Sequence, residues 1–240
     1  MTHILAIDTS SAWCSVALSL SDAAPLVRHQ RVTAGASQLL LPWIEDLLSE
    51  ASIELSSLDA IAIGNGPGAF TGVRLGVAVV QGLATAAKLP VLPVASLDAI
   101  ASQLVKTPAF ISSKAKTFLV ALDARMGEVY WASYRYTPNQ LPQRQGEIYL
   151  TPPEAIDLSN IEFLAGSALP EFGDRLFASI SHPFVSSYLD STIGVNALGV
   201  LDCARDMWGK GLQRDILLLE PLYIRNKVAL TSAERRQQHG

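Results

Sequence analysis

The sequence predicts an α/β protein built from two similar halves. The stretches HILAIDTSSAWCSVALSL, at 3–20, and FLVALDARMGEVYWASY, at 118–134, share one pattern: an apolar strand, an aspartate, a polar turn and a second strand. Strands and helical segments follow each stretch, which is typical of α/β folds. Because the two stretches lie about half a chain apart, they indicate an internal duplication. We therefore expect one domain at 1–108 and a second at 109–240.

The composition predicts a folded, acidic protein that does not grip nucleic acid by itself. Of its 240 residues, 49% are hydrophobic and 17% are charged, which is enough apolar material for buried cores. The net charge is −4 and the isoelectric point is near 5.5, whereas phosphate contacts need clustered Lys and Arg. One basic cluster near the C-terminus is interpreted as a solvated tail: Arg225, Lys227, Arg235 and Arg236.

Cysteine content and hydropathy predict a soluble, cytoplasmic protein. Cys14 and Cys203 lie far apart and make no disulfide framework, which suits a reducing compartment. The N-terminus lacks the pattern of a signal peptide. We expect no membrane span, because Gln81 and Lys88 interrupt the longest apolar segment.

The first half predicts strands followed by a helix and a buried strand. The stretch SQLLLPWIEDLLSEA, at 37–51, indicates a helix because Leu40, Trp43 and Leu47 recur at helical spacing, with Ser37 as its N-cap. Strands are expected on both sides of a turn at 8–12, at 25–32 and at 60–64.

A second helix, GVRLGVAVVQGLATAAK at 72–88, is apolar on nearly all sides and carries Gly72, Gly76 and Gly82. Thr71 is the expected N-cap. Each glycine inside a helix costs about 1 kcal/mol relative to alanine, and close approach of another backbone is the usual compensation. An apolar helix of this kind must also be covered on both sides. We expect the domain's own sheet on one side and a partner protein on the other.

The second half predicts further strands and one long helix. Strand candidates are EIYL, at 147–150, and EFLAGS, at 162–167, and the helix is expected at 194–211. The apolar ending ILLLEPLYIRNKVAL, at 216–230, is expected to pack back onto the fold.

The glycine stretch GNGPGAFTGVRLG, at 64–76, matches neither common phosphate motif. The Walker pattern requires a lysine where Gly72 is followed by Val73, and the dinucleotide fingerprint requires a third glycine where Ala69 stands. The stretch could still bind an anion through backbone N–H groups at a helix N-terminus. Alternatively, it is a tight corner for packing, which is favoured because the glycines continue inside the helix.

Asp8 and Asp123 are the best charged pair, one in each half and each after a buried strand. In duplicated ATP-binding folds such aspartates face a cleft and hold metal or phosphate. Either aspartate could instead cap its turn, and the residues alone leave both interpretations open. Ser10 and Ser11 lie beside Asp8, but no histidine is placed by the sequence to activate them as nucleophiles.

The four histidines, His3, His29, His182 and His239, are scattered. No two of them lie three or four residues apart, so the sequence predicts no helical metal site. Surface or core roles are expected for each.

Four stretches together resemble the TsaB family, also called YeaZ. They are ILAIDTS at 4–10, GPGAFTGVRLG at 66–76, ALDARMGEVYWASY at 121–134 and PLYIRN at 221–226. The resemblance covers nearly the full length. It implies an actin-like ATPase (ASKHA) fold of two duplicated ribonuclease-H-like halves, in agreement with the repeat.

The resemblance also implies a function. TsaB is a subunit of the bacterial machinery that makes N6-threonylcarbamoyladenosine next to the anticodon, in tRNAs that read codons beginning with A. The transfer chemistry belongs to its paralogue TsaD, which receives threonylcarbamoyl-adenylate from TsaC, and TsaE is an accessory ATPase. TsaB forms a dimer with TsaD or with itself. The resemblance implies no cofactor, no membrane contact and only indirect contact with tRNA.

TsaD binds its metal with a His-x-x-x-His motif after its own glycine corner. An ungapped count from the GPG stretch puts these two positions at Ser96 and Ile100. Ile100 has no donor atom and a single serine hydroxyl is a poor metal ligand. The resemblance therefore implies a pseudo-enzyme that acts as a scaffold. Many TsaB members also carry a histidine before the Ser/Thr of the first helix, where this chain has Ala36.

The resemblance and the helix patterns assign two sets of site residues. A vestigial nucleotide site would comprise Asp8, Thr9, Ser10, Ser11 and Asp123. The partner interface would comprise Leu40, Trp43, Leu47, Gly72, Arg74, Gly76, Val80 and Leu83. On this hypothesis Gly76→Leu or Val80→Arg disrupts a dimer and leaves the monomer folded.

Two other classes of function are weighed against the scaffold. An ATP-dependent phosphotransferase of the same superfold would use Asp8 and Asp123, but it needs a glycine-rich adenosine loop in the second half. LAGSALPEFG, at 164–173, is the only stretch there that resembles one. A metallopeptidase is disfavoured because the histidine pair is absent.

Overall fold

The computed structural model describes residues 2–21, 23–32, 35–178 and 188–225. The strands in these ranges are β1 His3–Asp8, β2 Trp13–Leu20, β3 Leu26–Arg31, β4 Ala60–Gly64, β5 Val91–Val94, β6 Thr117–Asp123, β7 Val129–Arg135, β8 Gln143–Thr151, β9 Phe163–Ala165 and β10 Leu189–Asp190. The helices are α1 Ala36–Glu50, α2 Phe70–Ala87, α3 Ser96–Leu104, α4 Pro108–Ser113, α5 Ala168–Leu176 and α6 Ala197–Gly209.

The strands form two sheets of the same topology. The first has the order β3-β2-β1-β4-β5 and the second has the order β8-β7-β6-β9-β10. In each sheet the first three strands are antiparallel and the last two run parallel to the central strand. The predicted α/β class and the predicted duplication are both confirmed by this repeated order.

The first core fills the space between the first sheet and helices α1 and α2. Leu5, Ile7 and Val16 point from the sheet into this core and have no exposed surface. α1 begins at Ala36 with Gly35 as N-cap, so the prediction of Ser37 as N-cap was wrong. α2 begins at Phe70 after Ala69, so Thr71 lies inside the helix and is not its cap.

A central core lies between the two sheets and joins the halves. Its fully buried members include Ala6 and Ala62 from the first sheet and Phe118 and Val120 from the second. Helix α6 packs against β1 and β2 of the first sheet and against α3. The Ala197 N–H donates a hydrogen bond to the Ser15 hydroxyl oxygen at 2.9 Å. A helix from 109–240 thus completes the packing of the first sheet, and the two-domain division remains a prediction.

Residues 214–225, here called the C-terminal strap, run back across the first half towards the second. The strap begins at Arg214, which bridges to Val91 of β5. The Leu222 N–H donates to the Asn65 carbonyl oxygen at 2.8 Å, and Gln81 Nε2 donates to the Leu219 carbonyl oxygen at 3.0 Å. The expected return of the apolar ending is therefore seen as far as Arg225. The rest of that ending, and Lys227, Arg235 and Arg236 of the basic cluster, lie outside the described residues.

Helix α2 is, by length and composition alone, suited to cross a membrane, with a mean hydropathy of 1.3 over 18 residues. Length and composition do not show that the helix spans a membrane, so the expectation of no membrane span stays a prediction. Val73, Val77 and Ala84 of α2 are buried in the first core, although only 28% of the segment is buried overall. The helix thus presents much of its surface outside the fold.

The C-terminal strap ends in a charge contact that we expect to stabilise the fold. The Arg225 side chain is 13% exposed, and its Nη2 lies 2.7 Å from Glu128 Oε2 and donates to the Ala124 carbonyl oxygen at 3.1 Å. Hydrogen bonds to charged groups contribute about 1.5–3 kcal/mol each. Arg225→Met should lower the free energy of unfolding by about 2 kcal/mol, measured by urea denaturation.

The matched control for this measurement is Arg135→Met, which removes an exposed arginine at the end of β7. Surface substitutions of this kind change stability by less than about 0.5 kcal/mol. Equal losses in the two variants would show that the strap contact does not stabilise the fold.

Candidate functional site

A cleft of about 510 Å³ lies between the two halves. Its walls come from the turn after β1, the glycine corner before α2, the β6–β7 hairpin and the C-terminal strap. Ser10, Ser11 and Asp123, three of the predicted nucleotide-site residues, line this cleft. Asp8 and Thr9 do not. The structure therefore brings together only part of the predicted set.

Asp8, the last residue of β1, is completely buried behind the turn that follows it. Its carboxylate accepts hydrogen bonds from the Ser10 N–H at 3.1 Å and from the Ser10 hydroxyl at 2.9 Å. Gly64 of β4 packs against the same carboxylate, and any side chain there would collide with it. Asp8 thus caps a turn, as one of its two interpretations predicted, and it does not reach the cleft.

The pKa of Asp8 is raised from 3.8 to about 7, mainly because burial removes water from the carboxylate. The two hydrogen bonds from Ser10 lower the pKa but do not offset this loss of hydration. The Ser96 hydroxyl donates to the Ser10 hydroxyl oxygen at 3.1 Å and extends the buried chain of polar groups.

Asp123, the last residue of β6, occupies the corresponding position in the second half and does face the cleft. Its Oδ1 accepts from the Arg125 N–H at 2.7 Å, and its Oδ2 lies 3.1 Å from Arg125 Nη1. Asp123 therefore also caps its own turn. The two aspartates are not a matched pair in the cleft, because only one of them is accessible from it.

The glycine stretch is a packing corner for the turn after β1. A Cβ at Gly68 or Gly72 would collide with the backbone of Ser10 or Thr9, and a Cβ at Gly76 would lie 2.7 Å from Thr9 Oγ1. The Thr9 hydroxyl also donates to the Gly72 carbonyl oxygen at 2.7 Å. Chain from the same protein thus fills the space that these glycines provide, in agreement with the favoured packing interpretation.

Neither of the described histidines, His3 and His29, lines the cleft. His3 Nδ1 is 3.3 Å from the Ser57 carbonyl oxygen, and His29 stacks on Trp13 with ring centroids 4.5 Å apart. Burial lowers the pKa of His29. His182 and His239 lie outside the described residues. Within the part of the chain that the structure describes, no group of three or more His, Cys, Asp or Glu side chains is arranged to hold a metal.

Ser96 and Ile100, at the positions of the paralogue's expected histidines, are fully buried in α3. Ile100 packs in the central core, and Ser96 is hydrogen-bonded to Ser10. Neither side chain lines the cleft.

Several residues predicted for the partner interface belong instead to the interior. Leu40, Leu47 and Val80 have no exposed surface and pack in the first core. Gly72 and Gly76 contact the turn after β1. These five residues therefore pack against other parts of the protein's own fold, which the sequence did not indicate because an apolar helix has little contrast between its inner and outer faces. Val80→Arg and Gly76→Leu would damage the monomer itself, contrary to the hypothesis that they leave it folded.

The surface that α1 and α2 actually present, here called the outer helical face, contains different residues. On α2 it includes the exposed Ala78, Gly82 and Ala86, with Leu83 partly buried beside them. On α1 it includes Leu41, which is 50% exposed. A shallow groove of about 500 Å³ between the helices is lined by Leu41, Ile44, Glu45, Leu48, Ser49, Ile53, Glu54, Leu55 and Leu83.

Gly82 differs from the other two glycines of α2. A Cβ at this position would meet nothing within 4 Å among the described residues. The helix therefore bears the cost of a glycine, about 1 kcal/mol, without any compensating contact in its own fold. Trp43 is partly buried against the first core, and Arg74 is exposed at the other end of α2.

The two sheets have equivalent strand orders, β3-β2-β1-β4-β5 and β8-β7-β6-β9-β10, and a cleft lies between them. This arrangement defines the fold class. The chain has the actin-like ATPase (ASKHA) fold, an α/β architecture with two ribonuclease-H-like halves. Two solved structures from Pseudomonas aeruginosa have the same fold. One, described as an uncharacterized protein with similarity to peptidase YeaZ, has a TM-score of 0.82 and 36% identity and covers 94% of this chain and 100% of its own. The other, described as YeaZ, has a TM-score of 0.79 and 36% identity and covers 93% and 100%.

Comparison of sequences identifies the family. A family model described as TsaD, tRNA N6-adenosine threonylcarbamoyltransferase, matches residues 31–199. The tRNA threonylcarbamoyladenosine biosynthesis protein TsaB of Escherichia coli is 32% identical over 95% of this chain and 96% of its own. The TsaB protein of Haemophilus influenzae is 32% identical over 94% of each chain. This chain belongs to the TsaB family.

The buried Asp8 carboxylate should make stability depend on pH. Because its pKa in the folded state, about 7, is above the unfolded value of 3.8, the folded state binds the proton more tightly. Asp8 should therefore lower the stability progressively as the pH rises from about 4 to about 7, and one pKa unit corresponds to about 1.4 kcal/mol. The free energy of unfolding, measured by urea denaturation, should contain a decrease of about 4 kcal/mol between pH 4 and pH 8 that comes from Asp8. This decrease should be absent in Asp8→Asn.

The control for this pH series is Asp46→Asn, which alters an exposed carboxylate on α1. It should retain the pH profile of the unsubstituted protein. If Asp8→Asn retained that profile as well, the carboxylate would be ionised without cost and the burial argument would fail.

Proposed function

We propose that this protein is a non-catalytic scaffold subunit in the formation of tRNA N6-threonylcarbamoyladenosine, and that it binds and activates TsaD. The pathway is the one named for its relatives in Escherichia coli and Haemophilus influenzae. The modified position would be the adenosine next to the anticodon in tRNAs that read codons beginning with A. On the same proposal, the protein works in the cytoplasm in a complex that also includes TsaE. TsaC supplies the threonylcarbamoyl-adenylate intermediate.

One observation carries the proposed scaffold role: the outer helical face has a glycine that its own fold does not use. Gly82 lies between exposed Ala78 and Ala86 on α2, so a second helix could approach the backbone closely there. The flanking groove with Leu41 and Leu83 would accept the partner's side chains. Full burial of a leucine contributes about 1.5–3 kcal/mol, so a few such contacts could hold a stable dimer. In the absence of TsaD, a second copy of this chain would use the same face.

The state of the cleft supports a pseudo-enzyme over a phosphotransferase. A phosphotransferase of this superfold would need both aspartates exposed to a bound nucleotide. Asp8 is sealed behind Ser10 and hydrogen-bonded within its own turn, and Asp123 is paired with Arg125. The proposed role therefore requires neither carboxylate.

Gly82→Leu tests the proposed interface. The new side chain extends into open space, and leucine favours helix over glycine by roughly 1 kcal/mol, so the monomer should fold at least as well. Binding to purified TsaD, measured by isothermal titration calorimetry, should weaken by more than about tenfold, which corresponds to 1.4 kcal/mol.

Gly209→Leu is the matched control, because Gly209 ends α6 and a Cβ there also meets nothing within 4 Å of the described chain. It should bind TsaD as tightly as the unsubstituted protein does. Undiminished binding by Gly82→Leu would refute the outer helical face as the contact.

The double substitution Asp8→Asn with Asp123→Asn tests the absence of catalysis. Because a scaffold uses neither carboxylate in chemistry, a reconstituted reaction of this protein with TsaC, TsaD, TsaE, ATP, threonine, bicarbonate and tRNA should retain its rate within about twofold, or 0.4 kcal/mol. The readout is the yield of modified adenosine by mass spectrometry. A loss of more than about tenfold with an intact complex would favour the phosphotransferase.

A further inference from the structure

The mouth of the cleft carries three large apolar side chains in contact with water. Phe70 is 47% exposed, Met126 is 71% exposed and Tyr223 is 51% exposed. They come from α2, the β6–β7 hairpin and the C-terminal strap, and all three border the same cleft. Aromatic residues and methionine are enriched in the buried centres of protein interfaces. This set, here called the cleft rim, has the composition of a docking surface.

Arg74 lies on the cleft rim and is held by its aromatic neighbours. Its guanidinium carbon is 3.7 Å from the centroid of the Phe70 ring and 5.8 Å from that of Tyr223. Its Nε donates to the Tyr223 hydroxyl oxygen at 3.0 Å. Within the described ranges, no carboxylate lies within ion-pair distance of Arg74. The remaining N–H groups of the guanidinium are therefore positioned for an external acceptor, and a carboxylate suits their planar geometry.

The β6–β7 turn is held in a conformation that projects the rest of the rim outward. Arg125 and Met126 have φ values of 62° and 58°, a left-handed conformation that non-glycine residues rarely adopt. Arg225 stabilises this turn by donating to the carbonyl oxygens of Ala124 at 3.1 Å and Arg125 at 3.3 Å. As a result the Arg125 side chain is 85% exposed, beside Met126. The turn is thus fixed before any partner binds, which lowers the entropic cost of binding.

We propose that the cleft rim docks an extended, acidic segment of a partner protein. A carboxylate of that segment would pair with Arg74, and its apolar side chains would cover Phe70, Met126 and Tyr223. Charge complementarity selects this occupant, because the Arg74 guanidinium has no carboxylate partner among the described residues, whereas Arg125 is already paired with Asp123. The site goes beyond the proposed scaffold role. Position 70 lies about 18 Å along α2 from position 82, at 1.5 Å per residue, so the two surfaces are separable.

A labelled model peptide tests this site on the full-length protein. The probe is a fluorescein-tagged peptide of about twelve residues in which glutamate and leucine alternate, and its counterpart has lysine in place of glutamate. Fluorescence anisotropy should show the acidic peptide binding at least about tenfold more tightly than the basic one. Arg74→Gln and Met126→Ser should each weaken that binding about five- to tenfold. Arg135→Gln, an exposed arginine on β7, should leave it unchanged.

Three results would overturn the proposal. The first is that neither peptide binds or that both bind equally well. The second is that Arg74→Gln leaves the binding of the acidic peptide unchanged while its thermal midpoint is also unchanged, and the third is that the protein prefers a single-stranded oligonucleotide and that Arg74→Gln abolishes this binding. The variant Gly82→Leu separates the two proposals. It should weaken binding to TsaD and leave binding of the acidic peptide unchanged. If it weakened binding of the peptide as well, the peptide contact would lie on the outer helical face instead.

Discussion

The close contact between the turn after β1 and the start of α2 determines most of what is distinctive in this structure. Gly68 and Gly72 allow the backbone of Thr9 and Ser10 to press directly against the helix. That contact buries Asp8 behind Ser10 and removes a carboxylate from the cleft. The same contact fixes which side of α2 faces inward, and so leaves Ala78 and Gly82 outside. The same contact therefore both buries Asp8 and leaves one side of α2 exposed to solvent.

The duplication and the fold class could be predicted from the sequence, because both halves repeat the strand, aspartate, turn and strand. The faces of the helices could not. In α1 the consecutive residues Leu39, Leu40 and Leu41 are equally apolar, yet only Leu40 is fully buried. Hydrophobic periodicity identifies a buried side only where polar residues mark the other side. On α1, however, Leu41, Glu45 and Leu48 recur at helical spacing with a charge among them. This pattern could have indicated that these residues line the shallow groove of the outer helical face.

The candidate site was predicted in part for a similar physical reason. Ser11 and Ser10 come just after β1, and Asp123 is the last residue of β6. These residues line the cleft because the corresponding ends of the two central strands meet there. Whether such a residue faces solvent depends on what packs over it, and Gly64 and Ser10 enclose Asp8. The cleft rim combines residues about 150 positions apart, for example Arg74 with Tyr223, separated by 149. No local pattern in a single sequence contains that information.

The packing of α6 and the C-terminal strap against the first sheet has a consequence for synthesis on the ribosome. Ser15 receives its hydrogen bond from a residue 182 positions later, and β5 acquires its edge contact only when Arg214 arrives. The N-terminal half therefore emerges with part of its apolar surface still uncovered, and it must wait for almost the entire chain before its core closes. Late, long-range closure of this kind slows folding and prolongs the exposure of aggregation-prone surface. Premature termination even shortly before the last helix would thus leave the first half incomplete as well as the second.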